Sequence, residues 1–215
     1  FRPCFRFMFF ESFFDFRTSW PGQFMSDSDS PLLSRHVTPL MGGSSRWWSV
    51  IQINRIHNGA YMGIGVQRQY APNSICYGCG PANEKGLQID SHRCEDGLEM
   101  RFTPSEEHQA FPGMINGGII GALLDCHGNW AAAIAIMDEQ GLDEPPCTVT
   151  ASYTIKLRRP TPSGVELHIL AQVKELQEDR AEISMTLTAE GKVGATGTGL
   201  FVAVKEGHPA YHRWS

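Results

Sequence analysis

Apolar and polar positions alternate with a period of two in TVTASYTIKL, residues 148–157, placing Val149, Ala151, Tyr153, Ile155 and Leu157 on one face. GVELHILAQVKEL (164–176) and RAEISMTLTAEG (180–191) repeat the pattern, and KVGATGTGLFVAV (192–204) supplies a last strand. QEDR and EGK between them read as tight turns, so these segments form hairpins. Upstream, GLQID (86–90) and GLEMRFTP (97–104) read as two further short strands. Between the two groups lies FPGMINGGIIGALLDCHGNWAAAIAIM, residues 111–137, a run apolar on nearly every side from Gly117 onward, which predicts a buried helix over 117–137. Strands, one helix and then antiparallel hairpins specify an α+β domain whose single helix is covered by a sheet.

Inside that helix stands one carboxylate. Spacing residues at about 100° puts Gly118, Gly121, Gly128, Asn129 and Ala132 within about 60° of Asp125, and Ile119, Leu123, Trp130, Ile134 and Met137 opposite. Glycines cost a helix up to about 1 kcal/mol each relative to alanine, so Gly121 and Gly128 point to close approach by a neighbouring backbone or a thin ligand. His127 falls about 160° from Asp125, which excludes an acid and histidine dyad within a regular helix; Cys126 reads as packing. Gly117 and Gly118 occupy the first turn, where backbone N–H groups lack intrahelical partners and the positive end of the dipole lies, an arrangement able to polarise a carbonyl.

Residues 1–61 sustain neither period; eight phenylalanines fall between Phe1 and Phe16, interrupted by Arg2, Arg6, Glu11 and Asp15, which fits neither a secretory signal nor a transit peptide. We expect 1–61 to be an extension outside the domain of 62–215, and the chain to begin upstream of its true start, with Met25, Met41 or Met62 as candidates. Composition changes this picture little: 41% hydrophobic and 19% charged residues suit a globular chain, and a net charge of -5 argues against a nucleic-acid-binding surface. Asp125, His127 and Asn129 interrupt the one long apolar run, so no membrane span is expected. Six scattered cysteines suit a reducing compartment, here the cytoplasm, without disulfides. Cys76 and Cys79 form one C-x-x-C, with His92 and Cys94 downstream as conceivable further zinc ligands, but a second paired motif is lacking and no metal is expected.

CYGCGPANEKGLQI, FPGMINGGIIGALLDCHGNWAA and the strands after Pro145 together resemble the hot-dog fold acyl-CoA thioesterases of the PaaI-like, phenylacetate-degradation type, over about Ile75 to Val204. The resemblance implies a curved antiparallel sheet wrapped around one long central helix, no cofactor, and a homodimer or dimer of dimers with its site at the subunit interface. It implies hydrolysis of a small or medium acyl-CoA, with Asp125 as general base or nucleophile facing the Gly117 and Gly118 amides of the partner copy. The family pattern is His-Gly-Gly followed by an acid; Asn116 stands where the histidine is usual, and asparagine retains a donor, an acceptor and a good capping group. A hydroxyl on the strand after the helix often assists, and Thr150 is the nearest match, although strict alternation assigns it to the polar face. Arg158 and Arg159 in KLRRPTP could meet CoA phosphates, while His108 and Gln109 precede the helix where they could border the acyl pocket. GATGTG sits within strand alternation and reads as close packing or a bulge rather than a phosphate loop.

Overall fold

In a computed structural model, which describes residues 63–214, the predicted helix is α2, Gly117–Gln140, three residues longer than the periodicity indicated and about 36 Å long. Asn116 caps its start, its Oδ1 accepting from the Gly118 amide at 2.7 Å, and Gly141 ends it in the left-handed region (φ 63°). By length and composition α2 could cross a bilayer, but 72% of its most apolar stretch is buried inside the domain.

The rest of the described chain holds a short helix α1 (Val66–Tyr70), one 3-10 turn (Glu106–His108) and eight strands: β1 (Ser91–Cys94), β2 (Gly97–Phe102), β3 (Gln109–Phe111), β4 (Met114–Ile115), β5 (Thr148–Leu157), β6 (Leu167–Leu176), β7 (Arg180–Ala189) and β8 (Lys192–Ala203). Six of them form one curved antiparallel sheet in the order β1-β2-β6-β7-β8-β5, with β3 and β4 as a separate small hairpin. α2 packs against β2, β5, β6, β7 and β8, the wrapped-helix layout of the hot-dog fold. The expectations for residues 1–61 lie outside the described residues.

Alternation survives where it was read most clearly. Ala181, Ile183, Met185, Leu187 and Ala189 of β7 face the helix and are buried, as are Leu167, Ile169 and Ala171 of β6. GATGTG lies within β8, as expected, and EGK is a tight turn with Glu190 and Gly191 at positive φ. One strand is displaced: GLQID is irregular, because the Leu87 and Ile89 amides bond the Tyr77 and Gly78 carbonyls of the preceding loop and Gln88 takes φ 46°, so pairing begins only at Ser91. On the small-residue face of α2 the expected close approach is found at Gly128, from side chains rather than backbone or ligand, and not at Gly121, where a Cβ would make only ordinary contact, 3.7 Å from Ile155 Cδ1. A Cβ on Gly128 would stand 2.5 Å from Met185 Sδ and 2.9 Å from a Phe201 ring carbon. Two residues on, Trp130 stacks on Trp214 with centroids 4.2 Å apart, pinning the final turn to the helix.

His127 is fully buried, as its helical phase requires, and belongs to the core. Its Nε2–H donates to the Leu98 carbonyl (3.1 Å), so Nδ1 accepts from the Ser91 hydroxyl (2.8 Å), which in turn accepts from Gln67 Nε2 (2.8 Å). Burial pushes the imidazole from its ordinary 6.5 down to about 4. The unfolded chain therefore binds a proton that the folded one refuses between those values, and stability falls as pH falls through that window. Going from pH 7 to pH 4.5 should cost about 2 to 3 kcal/mol at this site alone, measured by urea unfolding, and His127→Gln should flatten that part of the profile.

Candidate functional site

Asp125 lies midway along α2, half-buried, beneath β5. Its Oδ1 accepts a hydrogen bond of 2.7 Å from Thr150 Oγ1. Strict alternation had turned Thr150 away from the helix; the structure turns it inward through a β-bulge. Thr150 pairs with Phe201 and Ser152 with the adjacent Leu200, which leaves Ala151 as the extra residue. One inserted residue reverses the phase, so Thr148 and Thr150 face α2 before the bulge, and Tyr153, Ile155 and Leu157 face it afterwards. Val149 and Ala151 accordingly leave the helix-facing set in which period two had placed them. Thr148 completes the polar seam: it is buried, and its Oγ1 donates to Asn129 Oδ1 at 2.9 Å.

The hydroxyl of Thr150 fixes one carboxylate oxygen and leaves the other for chemistry. Thr150→Val, which keeps the volume and removes the donor, should lower any Asp125-dependent turnover about tenfold, the loss of a charge-assisted hydrogen bond, with Thr150→Ser largely restoring it. Steady-state kinetics on the two variants check this.

The two glycines differ from each other. The Gly118 amide is occupied by the Asn116 cap, whereas the Gly117 amide has no hydrogen-bond partner among the described residues and is exposed at the positive end of the helix. With Oδ1 committed to Gly118, the Asn116 side chain retains its Nδ2–H₂ as a further donor. Asparagine thus supplies the cap and a hydrogen-bond donor without a titrating group.

Gly117 opens on a cavity of about 340 Å³, lined also by Ile115, Ile120, Leu157, Arg158, Arg159 and Thr161. Both arginines are exposed; their amides bond the Gly194 carbonyl at 2.8 and 3.3 Å, and Arg158 Nε donates to Thr196 Oγ1 at 3.3 Å. His108 and Gln109 do not line this cavity. They shape the loop before α2: His108 Nδ1 accepts from the Ser105 amide (3.1 Å), the His108 carbonyl accepts from the Asn116 amide (2.9 Å), and Gln109 Oε1 accepts from the Gly113 amide (2.9 Å). A larger cavity of about 540 Å³ lies at the far end of α2, by Gln140, Glu178 and Lys205, away from both Asp125 and the glycines.

Asp125 and Gly117 are eight positions apart on one straight helix, an axial separation of about 12 Å. A base or nucleophile and an oxyanion donor each need to reach one reacting carbon at about 3 Å, so within a single chain these two groups cannot serve the same substrate. Sequence spacing makes both legible; the geometry shows that they do not meet within one chain.

Of the candidate zinc ligands, His92 stands on β1 with its Nε2 3.6 Å from Asp90 Oδ2, and neither it nor Cys94 joins Cys76 and Cys79. The sulfur that does join them is that of Cys126. No local pattern signals that contact, since a C-x-x-C loop and a helix cysteine far downstream meet only in the fold.

No family model and no curated protein matches the chain. Solved structures do. A thioesterase superfamily protein of 21% identity superposes with a TM-score of 0.50, covering 60% of this chain and 60% of its own, so the chain spans about three fifths of that protein. A thioesterase superfamily protein from Shewanella loihica is 29% identical, covering 58% of this chain and 98% of its own with a TM-score of 0.48. The PaaI protein of the E. coli phenylacetic acid degradation operon is 20% identical, over 58% and 85% of the two chains with a TM-score of 0.49. The first of these likenesses carries the fold.

Proposed function

We propose that this chain is an acyl-CoA thioesterase of the PaaI-like type, which works as a dimer and hydrolyses small or medium acyl-CoA thioesters to the free acid and CoA. The observation that carries the reading is the pair of half-sites on α2: a carboxylate, Asp125, oriented by Thr150, and an unpaired amide, Gly117, too distant to meet it within one copy.

A second copy removes the distance. β5 is an edge strand of ten residues, rich in β-branched and aromatic side chains and leaving Tyr153 and Leu157 about half exposed (49% and 56%). Such an edge is a ready template for pairing with another chain, and β5 of one copy beside β5 of another would join the two sheets. The helices beneath then run side by side, with Asp125 of each copy brought toward Gly117 of the other.

The chemistry follows from that juxtaposition. The thioester carbonyl accepts from the Gly117 amide and from Asn116 Nδ2 of one copy, so charge developing on oxygen in the tetrahedral stage is met by donors already in place. Asp125 of the other copy takes a proton from water, which attacks the carbonyl carbon; or its carboxylate attacks directly, giving a mixed anhydride that water then opens. On either route the C–S bond breaks, CoA leaves as thiolate and is protonated, and the acid is released. Arg158 and Arg159, on the rim of the cavity that Gly117 opens, suit the CoA phosphates.

A non-catalytic acyl-CoA-binding module is the second reading, and the Asn116 bond that occupies the Gly118 amide favours it. Release of free thiol from a panel of acyl-CoA thioesters of graded chain length, including an aromatic one, separates the two. Turnover of at least one thioester supports the hydrolase, and saturable binding without thiol release supports the module.

A further inference from the structure

The loop Cys76–Gly80 lies against the middle of α2, and it brings three sulfurs together: the Sγ atoms of Cys76, Cys79 and Cys126 all lie within 4.8 Å of one another, with Cys76 and Cys126 at 3.8 Å. A tetrahedral zinc with Zn–S bonds of about 2.3 Å holds its sulfurs about 3.8 Å apart, so the cluster has nearly the edge lengths of such a site. The backbone is shaped to match. A Cβ on Gly78 would stand 2.3 Å from Cys126 Sγ, so only glycine lets the loop lie this close to the helix. Trp130 Nε1, in the same core as Cys79, is buried without a regular hydrogen-bond partner.

We propose that Cys76, Cys79 and Cys126 form a metal site for a thiophilic divalent ion of the zinc type, with the fourth position taken by water or an added thiol. Binding converts three thiols to thiolates, releases their protons, and ties the loop to the turn of α2 that carries Asp125. A simple disulfide accounts for less: it would use two of the sulfurs and leave the third without a role.

The test uses the full chain, reduced and metal-free under anaerobic conditions, titrated with Zn²⁺ against a chromophoric chelator and with Co²⁺ for the absorption of tetrahedral cobalt thiolate. One equivalent should bind, and Zn²⁺ should protect Cys76, Cys79 and Cys126 from alkylation while Cys94 and Cys147 still react, as read by peptide mass spectrometry. Cys126→Ser should weaken binding by about a hundredfold, at least as much as loss of an outer partner does, and Cys94→Ser should leave it unchanged. The alkylation pattern comes from the unmodified chain, so it stands even if a variant misfolds, and neither readout depends on thioester hydrolysis. Absence of zinc-dependent protection at the three cysteines, wild-type affinity in a folded Cys126→Ser chain, or a Cys76–Cys126 disulfide forming in place of metal uptake would each overturn the proposal.

Discussion

Asp125→Asn should abolish most thioester hydrolysis, lowering kcat by about 10² to 10⁴, the range a positioned acid–base group supplies. The substitution keeps the volume of the side chain and its place beneath β5. It also keeps an acceptor for Thr150 Oγ1, which donates the 2.7 Å bond to Oδ1 in the native chain. What disappears is the negative charge and with it the ability to take a proton from water or attack a carbonyl. Because the carboxylate is half-buried and polar in its setting, the thermal midpoint should move little, and KM should change less than kcat. Steady-state kinetics on a thioester that the native chain turns over, with circular dichroism to establish the fold, are the measurement. An unchanged kcat would remove Asp125 from the chemistry.

The second large effect concerns a backbone atom. Gly117→Pro should lower kcat by about 10² to 10³, the cost of removing one oxyanion donor, while leaving α2 formed. Proline is the apt probe because it deletes the N–H and little else. Gly117 is the first helical residue, where proline is favoured and its missing hydrogen breaks no intrahelical bond. Asn116 already holds φ -65° and ψ 133°, the extended conformation that a residue before proline prefers. The added ring meets Leu157 Cδ1, the mobile end of a side chain, where a Cβ would stand at 3.1 Å. Gly117→Ala, which adds the same Cβ and retains the N–H, separates the steric effect from loss of the donor. Kinetics on the pair should show the large fall in the proline variant alone.

Most of the scaffold could be read from period. The helix stands out because nearly every position from Gly117 to Met137 is apolar, and β7 because alternation runs through it from end to end, while β6 and β8 are each interrupted by a bulge, at Lys174 and Gly194. Asp125 and Gly117 could be singled out as candidates, since a lone acid in an apolar helix and adjacent glycines at its start each call for a reason. Thr150 was legible only through resemblance. A bulge at Ala151 reverses the phase of β5, and nothing in TVTASYTIKL announces where an extra residue is inserted. GLQID was misplaced because its amides bond a loop rather than a strand, a choice made by tertiary contact. The Cys126 contact with Cys76 and Cys79 is of the same kind: three residues with no common periodicity meet because a loop folds over a helix face. The division of labour between Asn116, which takes the Gly118 amide, and Gly117, which keeps its own free, depends on one side-chain torsion.

The central claim is that Asp125 of one copy and the Gly117 amide of another act on a single thioester, and mixing two inactive chains tests it most directly. Asp125→Asn and Gly117→Pro chains, each nearly inactive alone, are denatured together in equal amounts and refolded, and thiol release is measured. In a mixed dimer one of the two sites regains both an intact carboxylate and an intact amide, so with random pairing about a quarter of the native activity should return. Mixed dimers that form, as seen by differential tagging, yet restore no activity would contradict the shared site.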